Sequence, residues 1–259
     1  MSKQTRPKKF LDLDDKSIAV FKRKGYEILE KLGEGAFGQV FKSRKFGKTD
    51  ADGPSELCAV KVMYLDKMPE KVRSKFLPRE ILALMEVQHV NIIRVYDIIR
   101  ANQKIYVFME YAGEGDLSGY VKVHKNLQES LARHWFRQLA DAIFYLHIKL
   151  QMAHRDIKLD NILLDHNYDA KITDFGFASM ITAETIDPSN YSSKTFCGTV
   201  PYYCPELVTK TPYNPFKADI WAMGVVLYAM VNNRFPFHYQ DSKKMLSEQM
   251  DYPKYIRTR

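Results

Sequence analysis

The sequence has few cysteines and no long hydrophobic run. Its 259 residues include only Cys58, Cys197 and Cys204, whose spacing fits neither a disulfide framework nor a metal site. The longest apolar run, residues 220–231, is too short to cross a bilayer, and residues 1–15 contain no apolar stretch that could act as a secretory signal. These absences predict a soluble protein in a reducing compartment, the cytoplasm or alternatively the nucleus, with no membrane partner.

Internal repetition is also missing. The 11 prolines and 12 glycines are scattered, and no segment recurs along the chain. Collagen-like, low-complexity and solenoid proteins are therefore excluded. With 46% apolar and 27% charged residues, the composition is typical of a globular protein, and the length suits one domain or two small lobes.

Acidic residues are outnumbered, since 39 Lys and Arg oppose 31 Asp and Glu. The excess is concentrated in residues 1–25, which contain eight basic and three acidic residues. A basic segment can bind acidic partners, but it is more often a solvated, mobile tail. We assign residues 1–25 to such a tail and predict no nucleic-acid partner, with nucleic-acid binding by the tail as the weakest alternative.

The order of predicted elements indicates an α+β chain with two lobes and a cleft between them. Strand-like runs lie at residues 26–32, 39–44, 57–64, 92–100 and 104–111, and one helical pattern interrupts them, formed by Leu77, Ile81, Leu84 and Met85. After the flexible residues 113–115 the pattern becomes helical, with Leu131, Trp135, Leu139, Ile143 and Leu146 at helical spacing. Residues 220–231 read as a helix buried on all sides. We predict a small antiparallel-sheet lobe with one helix at 26–112 and a larger, mainly helical lobe at 113–259.

A glycine-rich turn, GEGAFGQV at residues 33–40, joins the first two predicted strands. A dinucleotide-binding fold would need these glycines between a strand and a helix, so that fold is excluded. Glycines allow backbone N–H groups to approach phosphate oxygens, and Phe37 and Val40 could cover a nucleotide. A glycine-rich hairpin is nevertheless often only a hairpin.

A lysine on the third strand, Lys61, precedes a helical glutamate, Glu80, by nineteen residues. Glu80 could hold the Lys61 ammonium against the phosphates of a nucleotide. On spacing alone, a surface lysine and a solvated glutamate explain the pair better.

Two motifs in the second half of the chain decide whether the glycine-rich turn and the Lys61–Glu80 pair bind a nucleotide or are ordinary structural features. The sequence HRDIKLDN occupies residues 154–161, and DFG follows at residues 174–176. Together with the glycine-rich turn and the strand lysine, in this order, they resemble the signature of eukaryotic protein kinases. The resemblance implies a bilobal kinase-like fold and an ATP-dependent serine/threonine protein kinase, which transfers the γ-phosphoryl group to protein hydroxyls.

The resemblance also implies a role for each site residue. Asp156 would accept the proton of the substrate hydroxyl, Lys158 would reach the γ-phosphate, and Asn161 and Asp174 would supply oxygen ligands to Mg²⁺. Lys61 and Glu80 would complete the catalytic set. The implied ATP contacts are Gly33, Glu34, Gly35, Gly38, Val40, Ala59, Lys61, Met109, Glu110, Ala112 and Leu163, with Met109 as the gatekeeper. The family's regulatory spine would comprise Leu84, Val95, His154 and Phe175, anchored by Asp219.

Regulatory and substrate residues follow from the same resemblance. Thr195 matches the activation-loop threonine, and an upstream kinase would phosphorylate it so that its phosphate pairs with Arg155. The alternative phosphorylation sites are Ser189, Tyr191, Ser192 and Ser193. Substrate contacts are implied at Asp116, Asp160 and Thr199, of which the two carboxylates would bind a basic residue upstream of the target Ser or Thr.

Within the kinases, three features resemble the testis-specific serine/threonine kinases of the calmodulin-kinase-like group. They are FLPREI at residues 76–81, SKTFCGT at residues 193–199, and a long segment from Asp174 to Glu206. Cys204 replaces the usual alanine before Pro205 and Glu206, a small change. In the family Glu206 pairs with an arginine farther along the chain than Arg259, so we expect the last helices to be missing. The alternative function is therefore a catalytically dead or unstable truncated kinase that acts as a binding or scaffold module.

Overall fold

The computed structural model describes residues 15–35, 38–47, 55–67, 85–125, 127–180 and 191–251. The chain divides into two compact units, the first formed by residues 1–87 and 94–111 and the second by residues 88–93 and 112–259. Within the described ranges no helix is both long and apolar enough to cross a membrane. All three cysteines are unpaired, and the predicted location in the cytoplasm or nucleus stays a prediction.

The first unit is built on a five-stranded antiparallel sheet with the strand order β1-β2-β3-β5-β4. Its elements are α1 Asp15–Arg23, β1 Tyr26–Gly35, β2 Gly38–Lys45, β3 Glu56–Tyr64, β4 Val95–Ala101 and β5 Lys104–Glu110. The predicted antiparallel sheet is thus confirmed. The predicted helix with Leu77, Ile81 and Leu84 lies outside the described residues.

The sheet buries different side chains on its two faces, because successive residues of a strand point to opposite faces. One face holds an aromatic cluster made of Phe21, Tyr26, Phe41, Cys58, Val60, Val62, Ile99, Tyr106 and Phe108. The other face holds an aliphatic cluster made of Leu65, Ile105 and Val107. The β5 strand contributes alternate residues to each cluster and therefore lies between two apolar layers.

The helix α1 differs from the sequence prediction, which assigns residues 1–25 to a basic tail. Its Phe21 is only 3% exposed and belongs to the aromatic cluster, whereas Lys22 and Arg23 are exposed. The sequence does not reveal the buried face of this helix, because charged residues dominate the segment and few apolar residues face the sheet. Residues 15–23 are a docked helix and not a solvated tail.

The second unit is mainly helical and carries two small hairpins. Its helices are α2 Leu117–His124, α3 Glu129–Phe144, α4 Pro205–Val208, α5 Pro215–Asn232 and α6 Ser242–Met250, and its strands are β6 Met152–Ala153, β7 Ile162–Leu164, β8 Ala170–Ile172 and β9 Ser179–Met180. β6 pairs with β9, and β7 pairs with β8. Together with the sheet of the first unit, this confirms the α+β class.

Local sequence explains where several of these helices begin. Asp116, Asn214 and Asp241 precede α2, α5 and α6, and each side chain accepts hydrogen bonds from backbone N–H groups of the first turn. Pro215 occupies the first position of α5, where a missing N–H costs nothing. These caps set the helix starts independently of tertiary packing.

The helix α3 confirms the predicted helical pattern. Trp135 and Leu139 are buried, and the Trp135 indole N–H donates to the carbonyl oxygen of Tyr168 at 2.8 Å. Gln138 accepts a hydrogen bond from the Ala170 backbone N–H at 2.8 Å. These contacts attach α3 to the β7–β8 hairpin, and so to the loop that precedes β7.

Two predicted elements were wrong in detail. The strand predicted at residues 92–100 begins only at Val95. Ile92 and Ile93 belong to the second unit, where they form backbone contacts with Ile172. The helix α5 is not buried on all sides, since Ile220 is 56% and Val231 42% exposed. An apolar run indicates that much of a helix is buried, but the elements packed against the helix decide which of its residues remain exposed.

Candidate active site

The loop that carries the HRD motif is held by one buried carboxylate, Asp219 of α5, which is 1% exposed. Its two oxygens accept the backbone N–H groups of His154 and Arg155, each at 2.8 Å. His147 Nε2 lies 2.9 Å from the same carboxylate. Arg155 adopts a positive φ of 65°, which is uncommon for a residue with a side chain. Asp219 therefore stabilises a backbone turn that the loop would not adopt readily by itself.

Asp156, which follows in this loop, is 6% exposed and has contacts at both carboxylate oxygens. The Thr199 hydroxyl donates to Oδ1 at 2.7 Å, and the Lys158 ammonium lies 2.9 Å from Oδ2. Asn161 Nδ2 donates to the Asp156 carbonyl oxygen at 2.8 Å and to Oδ2 at 3.1 Å. The predicted residues Asp156, Lys158, Asn161 and Thr199 therefore form one contact network.

The β7–β8 hairpin brings Asn161 and Asp174 together, although thirteen residues separate them in the chain. Asn161 immediately precedes β7, and Thr173 immediately follows β8. The Thr173 backbone N–H donates to the Asn161 carbonyl oxygen at 2.9 Å. Asp174, the next residue, has φ 62° and accepts a hydrogen bond from the Gly176 N–H.

Asn161 and Asp174 suit a magnesium ion by the chemistry of their donor atoms. The Asn161 amide nitrogen is engaged with Asp156, so its amide oxygen is the atom left to act as a ligand. Magnesium prefers hard oxygen ligands and commonly takes one or two protein groups together with phosphates and waters. Across the described ranges no group of three or more His, Cys, Asp and Glu side chains could hold a metal by itself. The donor set therefore fits a metal that is shared with a nucleotide.

His154 connects the loop to the DFG segment. Its Nε2 lies 3.0 Å from the Thr173 carbonyl oxygen, and its Nδ1 accepts the Asp156 backbone N–H at 3.3 Å. Both ring nitrogens of His154 therefore have a hydrogen-bonding partner. The His154 and Phe175 rings lie 5.0 Å apart between centroids. Two neighbours predicted for the regulatory spine are therefore in contact within the second unit, whereas Leu84 lies outside the described residues.

In the first unit, strand register brings four predicted nucleotide contacts onto one face of the sheet. Val40 of β2 is paired with Lys61 of β3, and Ala59 of β3 is paired with Met109 of β5. Paired residues share a face, and so do Ala59 and Lys61, which lie two apart on the same strand. This face, which also carries Val107, presents a lysine among apolar side chains.

The glycine-rich turn is a β-hairpin, as predicted. Gly33 is paired with Val40, Glu34 with Gln39 and Gly35 with Gly38. Glu34 also accepts a hydrogen bond from Lys31. Ala36, Phe37 and Glu80 lie outside the described residues, so their predicted roles stay predictions.

The other predicted nucleotide contacts lie beyond this face. Glu110 ends β5, and its backbone N–H donates to the Arg94 carbonyl oxygen at 2.9 Å. Ala112 and Leu163 are half-buried residues of the second unit, where Leu163 forms a backbone bridge with Asp116. Their contacts to ATP stay predictions.

Of the candidate phosphorylation sites near Thr195, Ser193 is the most constrained. Ser193 is 7% exposed, exchanges backbone hydrogen bonds with Tyr213, and accepts the Thr195 N–H at its hydroxyl. Thr195 itself is exposed, and its carbonyl oxygen accepts the Tyr213 hydroxyl at 2.9 Å. Ser192 is exposed and Tyr191 half-buried, whereas Ser189 lies outside the described residues.

The positive charge of Arg155 acts on residues close to Thr195. Burial raises the pKa of the Cys197 thiol, and the nearby Arg155 guanidinium offsets part of that rise. Arg155 also acts on Tyr213, whose pKa burial raises. Arg155 Nε donates to the Phe177 carbonyl oxygen at 2.5 Å. Arg155, Cys197 and Tyr213 line one cavity next to the segment that contains Thr195.

Close packing in this segment requires a glycine. Gly198 has φ +109°, and a Cβ atom there would lie 2.8 Å from the Arg155 carbonyl oxygen. Six residues later, burial raises the pKa of the Cys204 thiol to about 12, so this cysteine behaves as a small apolar residue. The Cys-for-Ala change before Pro205 is thus compatible with the core.

The two predicted substrate carboxylates differ in their surroundings. Asp160 is exposed, whereas Asp116 is half-buried and accepts the Gly119 N–H at 2.7 Å as the cap of α2. Asp116 therefore has a structural role, and binding of a substrate residue would be a second one.

Sequence reasoning missed several positioning residues. His147 contacts Asp219, Tyr213 holds Thr195, and the Tyr202 hydroxyl accepts the Leu159 N–H at 3.2 Å. In each of these pairs the two residues lie at least 18 positions apart in the sequence, and the Tyr213–Thr195 pair has the shortest separation. No local pattern distinguishes these residues from ordinary core residues.

Comparisons with known proteins agree with this geometry. Residues 26–258 match the family model described as "Protein kinase domain". Human testis-specific serine/threonine-protein kinase 4 is 37% identical over 86% of this chain and 69% of its own length. Mouse testis-specific serine/threonine-protein kinase 1 is 39% identical over 93% of this chain and 63% of its own length. Human NUAK family SNF1-like kinase 2 is 36% identical over 87% of this chain and 34% of its own length.

The matched region covers the glycine-rich hairpin, the strand lysine, the HRD loop and the DFG segment, in the order that the sequence predicts. The chain spans about two thirds of the length of the two testis-specific relatives. A family match over most of the chain, together with relatives named as serine/threonine kinases, identifies the family. The chain therefore belongs to the protein kinase family and, within it, to the serine/threonine kinases.

Proposed function

We propose that this chain transfers the γ-phosphoryl group of ATP to serine and threonine hydroxyls of protein substrates. The observation that carries the proposal is the network around Asp156, whose carboxylate contacts Lys158, Asn161 and Thr199. This arrangement places one acceptor for a proton beside one positive charge. Both are what an alcohol needs in order to attack a phosphoryl group.

In this mechanism the residues of the second unit accept the proton, orient the acceptor and hold the metal. Asp156 accepts the hydrogen bond of the substrate hydroxyl and takes its proton, a contribution of about 10² to 10⁴ in rate. Asn161 and Thr199 hold the Asp156 carboxylate in one orientation, and Lys158 supplies a positive charge near the transferred group. Asn161 and Asp174 would hold Mg²⁺, which neutralises charge on the ATP phosphates when bound.

The first unit contributes nucleotide binding. Val40, Ala59 and Met109 offer apolar contacts to a flat base on the face that carries Lys61. The Lys61 ammonium on that face would neutralise phosphate charge. Binding of ATP is therefore the proposed task of this sheet face.

The function can be tested by incubating the purified chain with labelled ATP, magnesium and a basic protein. We expect label on the protein that is stable as phosphoserine and phosphothreonine, and none after magnesium is removed with a chelator. The Asp156→Asn variant, purified in the same way, controls for a contaminating kinase. Equal labelling by both proteins would assign the activity to a contaminant.

The alternative is a binding module without catalysis. Absence of transfer by a chain that has a folded circular dichroism spectrum and still binds ATP would favour that alternative. Label found only on tyrosine would contradict the proposed specificity.

We also propose that phosphorylation of Thr195 activates the chain. Thr195 is exposed, and Arg155 lines one cavity with Cys197 and with Tyr213, whose hydroxyl donates to the Thr195 carbonyl oxygen. Ser193 is a poor alternative because it is buried and hydrogen-bonded. A phosphate on Thr195 would form charge-assisted hydrogen bonds with the guanidinium of Arg155, the residue that precedes the proposed catalytic Asp156 in the chain.

The Thr195→Ala variant is expected to lose about tenfold or more of the stimulated rate, because the phosphate–Arg155 pair cannot form. The rate is measured before and after treatment with an activating kinase, with the phosphorylated residue identified by mass spectrometry. Ser192→Ala, at an exposed serine of the same segment, is the matched control and should be activated like the wild type. Full activation of Thr195→Ala would exclude this residue as the switch.

We further propose that basic residues lie upstream of the phosphorylated residue in the substrate, since Asp160 is exposed beside the catalytic loop. Two peptides that differ only by Arg or Ala at these upstream positions test the preference. Equal kcat/KM for the two peptides would contradict it.

A further inference from the structure

The aromatic face of the five-stranded sheet is covered by a helix that precedes the catalytic motifs. Phe21 of α1 packs edge-on against Tyr106 and Phe108 of β5, with ring centroids 4.7 and 5.6 Å apart. Tyr26, at the start of β1, stacks on the other side of the group with its ring centroid 3.9 Å from that of Phe108. Such ring contacts add specific geometry to the burial of apolar area.

The connection between α1 and the sheet is short and constrained. Gly25 ends the helix with φ +81°, and a Cβ atom there would lie 3.0 Å from the Phe46 carbonyl oxygen. The Phe46 backbone N–H donates to the Gly25 carbonyl oxygen at 2.7 Å. The Lys24 ammonium lies 2.8 Å from the Asp97 carboxylate of β4. The helix is therefore attached at β1, β2 and β4, besides its contact with β5.

The two residues that Phe21 contacts, Tyr106 and Phe108, are paired across the sheet with the two residues that flank Lys61. Strand register pairs Tyr106 with Val62 and Phe108 with Val60, and both valines are fully buried in the aromatic cluster. Val60 and Val62 flank Lys61, which is paired with Val107 and lies on the opposite face. Packing of Phe21 on one face thus acts on the segment that presents the lysine on the other.

We propose that α1 is a positioning element for the nucleotide-binding face and that Phe21 is its main positioning residue. This inference rests on the proposed function only in assigning ATP to that face. Phe21 does not touch the nucleotide. It acts through Tyr106 and Phe108, which hold Val60 and Val62 in place and thereby set the path of β3 at Lys61. Closely packed interiors transmit such constraints because they contain little free volume.

The test compares Phe21→Ala with Ile18→Ala in the full chain. Ile18 lies on the same helix but is 36% exposed and outside the aromatic cluster. Both substitutions introduce the best helix former, so a loss cannot come from helix propensity. Phe21→Ala is expected to raise the KM for ATP about tenfold while kcat at saturating ATP changes little, whereas Ile18→Ala leaves both unchanged. An unchanged KM for Phe21→Ala, with only the melting temperature lowered, would mean that the helix stabilises the fold without positioning β3. That result would overturn the proposal.

Phe21→Leu keeps the proposal testable if the alanine variant does not fold, because it retains most of the apolar volume. We expect a KM for ATP between those of the wild type and Phe21→Ala. A wild-type KM in Phe21→Leu, when Phe21→Ala is unfolded, would count against positioning.

Hydrogen exchange without nucleotide separates this inference from the proposed function. In Phe21→Leu and Phe21→Ala, amides of β3 and β5 are expected to exchange faster than in the wild type, while those of the β7–β8 hairpin remain unchanged. If the two variants show this pattern but the wild type transfers no phosphate, the proposed function fails and the positioning of β3 stands. If α1 amides of the wild type exchange without protection, the helix is not docked and the inference fails whatever the activity.

Discussion

Replacing Asp156 with asparagine is expected to lower the rate of phosphoryl transfer by about 10² to 10⁴. The amide has nearly the same shape as the carboxylate but cannot accept a proton at neutral pH. It also turns one acceptor into an N–H donor beside Lys158 or Thr199, whose groups now donate to the carboxylate. The chemical step is therefore affected more than the binding of ATP.

The measurement is steady-state phosphoryl transfer under saturating ATP, with the affinity for ATP determined separately. Asp141→Asn is the matched control, since Asp141 is an exposed carboxylate on α3. That variant should retain the wild-type rate. Retention of more than about a tenth of the rate by Asp156→Asn would show that Asp156 is not the proton acceptor.

Replacing Asp219 with alanine is expected to lower the free energy of unfolding by about 3 to 5 kcal/mol. The change leaves the N–H groups of His154 and Arg155 without their acceptor in a buried position, and His147 loses the same carboxylate. Since a whole domain is commonly stable by only about 5 to 15 kcal/mol, this is a large fraction. The Arg155 turn, with its positive φ, loses its support at the same time.

Urea unfolding at equilibrium measures the effect, with Ile220→Ala as the control on the same helix. Ile220 is 56% exposed, so its truncation should change stability by less than about 1 kcal/mol. Asp219→Asn should be intermediate, because its amide oxygen can still accept one backbone N–H. Asp219→Ala with wild-type stability would mean that the loop does not depend on this carboxylate.

Several elements could be predicted because their signals are local. The hairpin of β1 and β2 follows from strand-like runs around a glycine-rich turn, and α3 follows from apolar residues at helical spacing. The order of the motifs likewise predicts that Asp156, Asn161 and Asp174 form one functional set. The approach of Asp174 to Asn161 rests on the short β7–β8 register, which the sequence did not show.

Other elements were missed because they depend on partners distant in the sequence. The helix α1 looks like a charged tail until the aromatic face that receives Phe21 is known. The segment at Ile92 and Ile93 reads as strand, but its backbone partner is Ile172, some eighty residues away. The exposed side of α5 depends on which neighbours pack against it, and an apolar run carries no information on that.

For this protein, residue identity and spacing determined the family and predicted the residues proposed for phosphoryl transfer, because that chemistry requires particular side chains in short, fixed motifs. Tertiary structure alone decided how those side chains are held. Asp219 reaches His154 across 65 positions, and Thr199 reaches Asp156 across 43. Contacts over such separations form only when folding brings distant segments together.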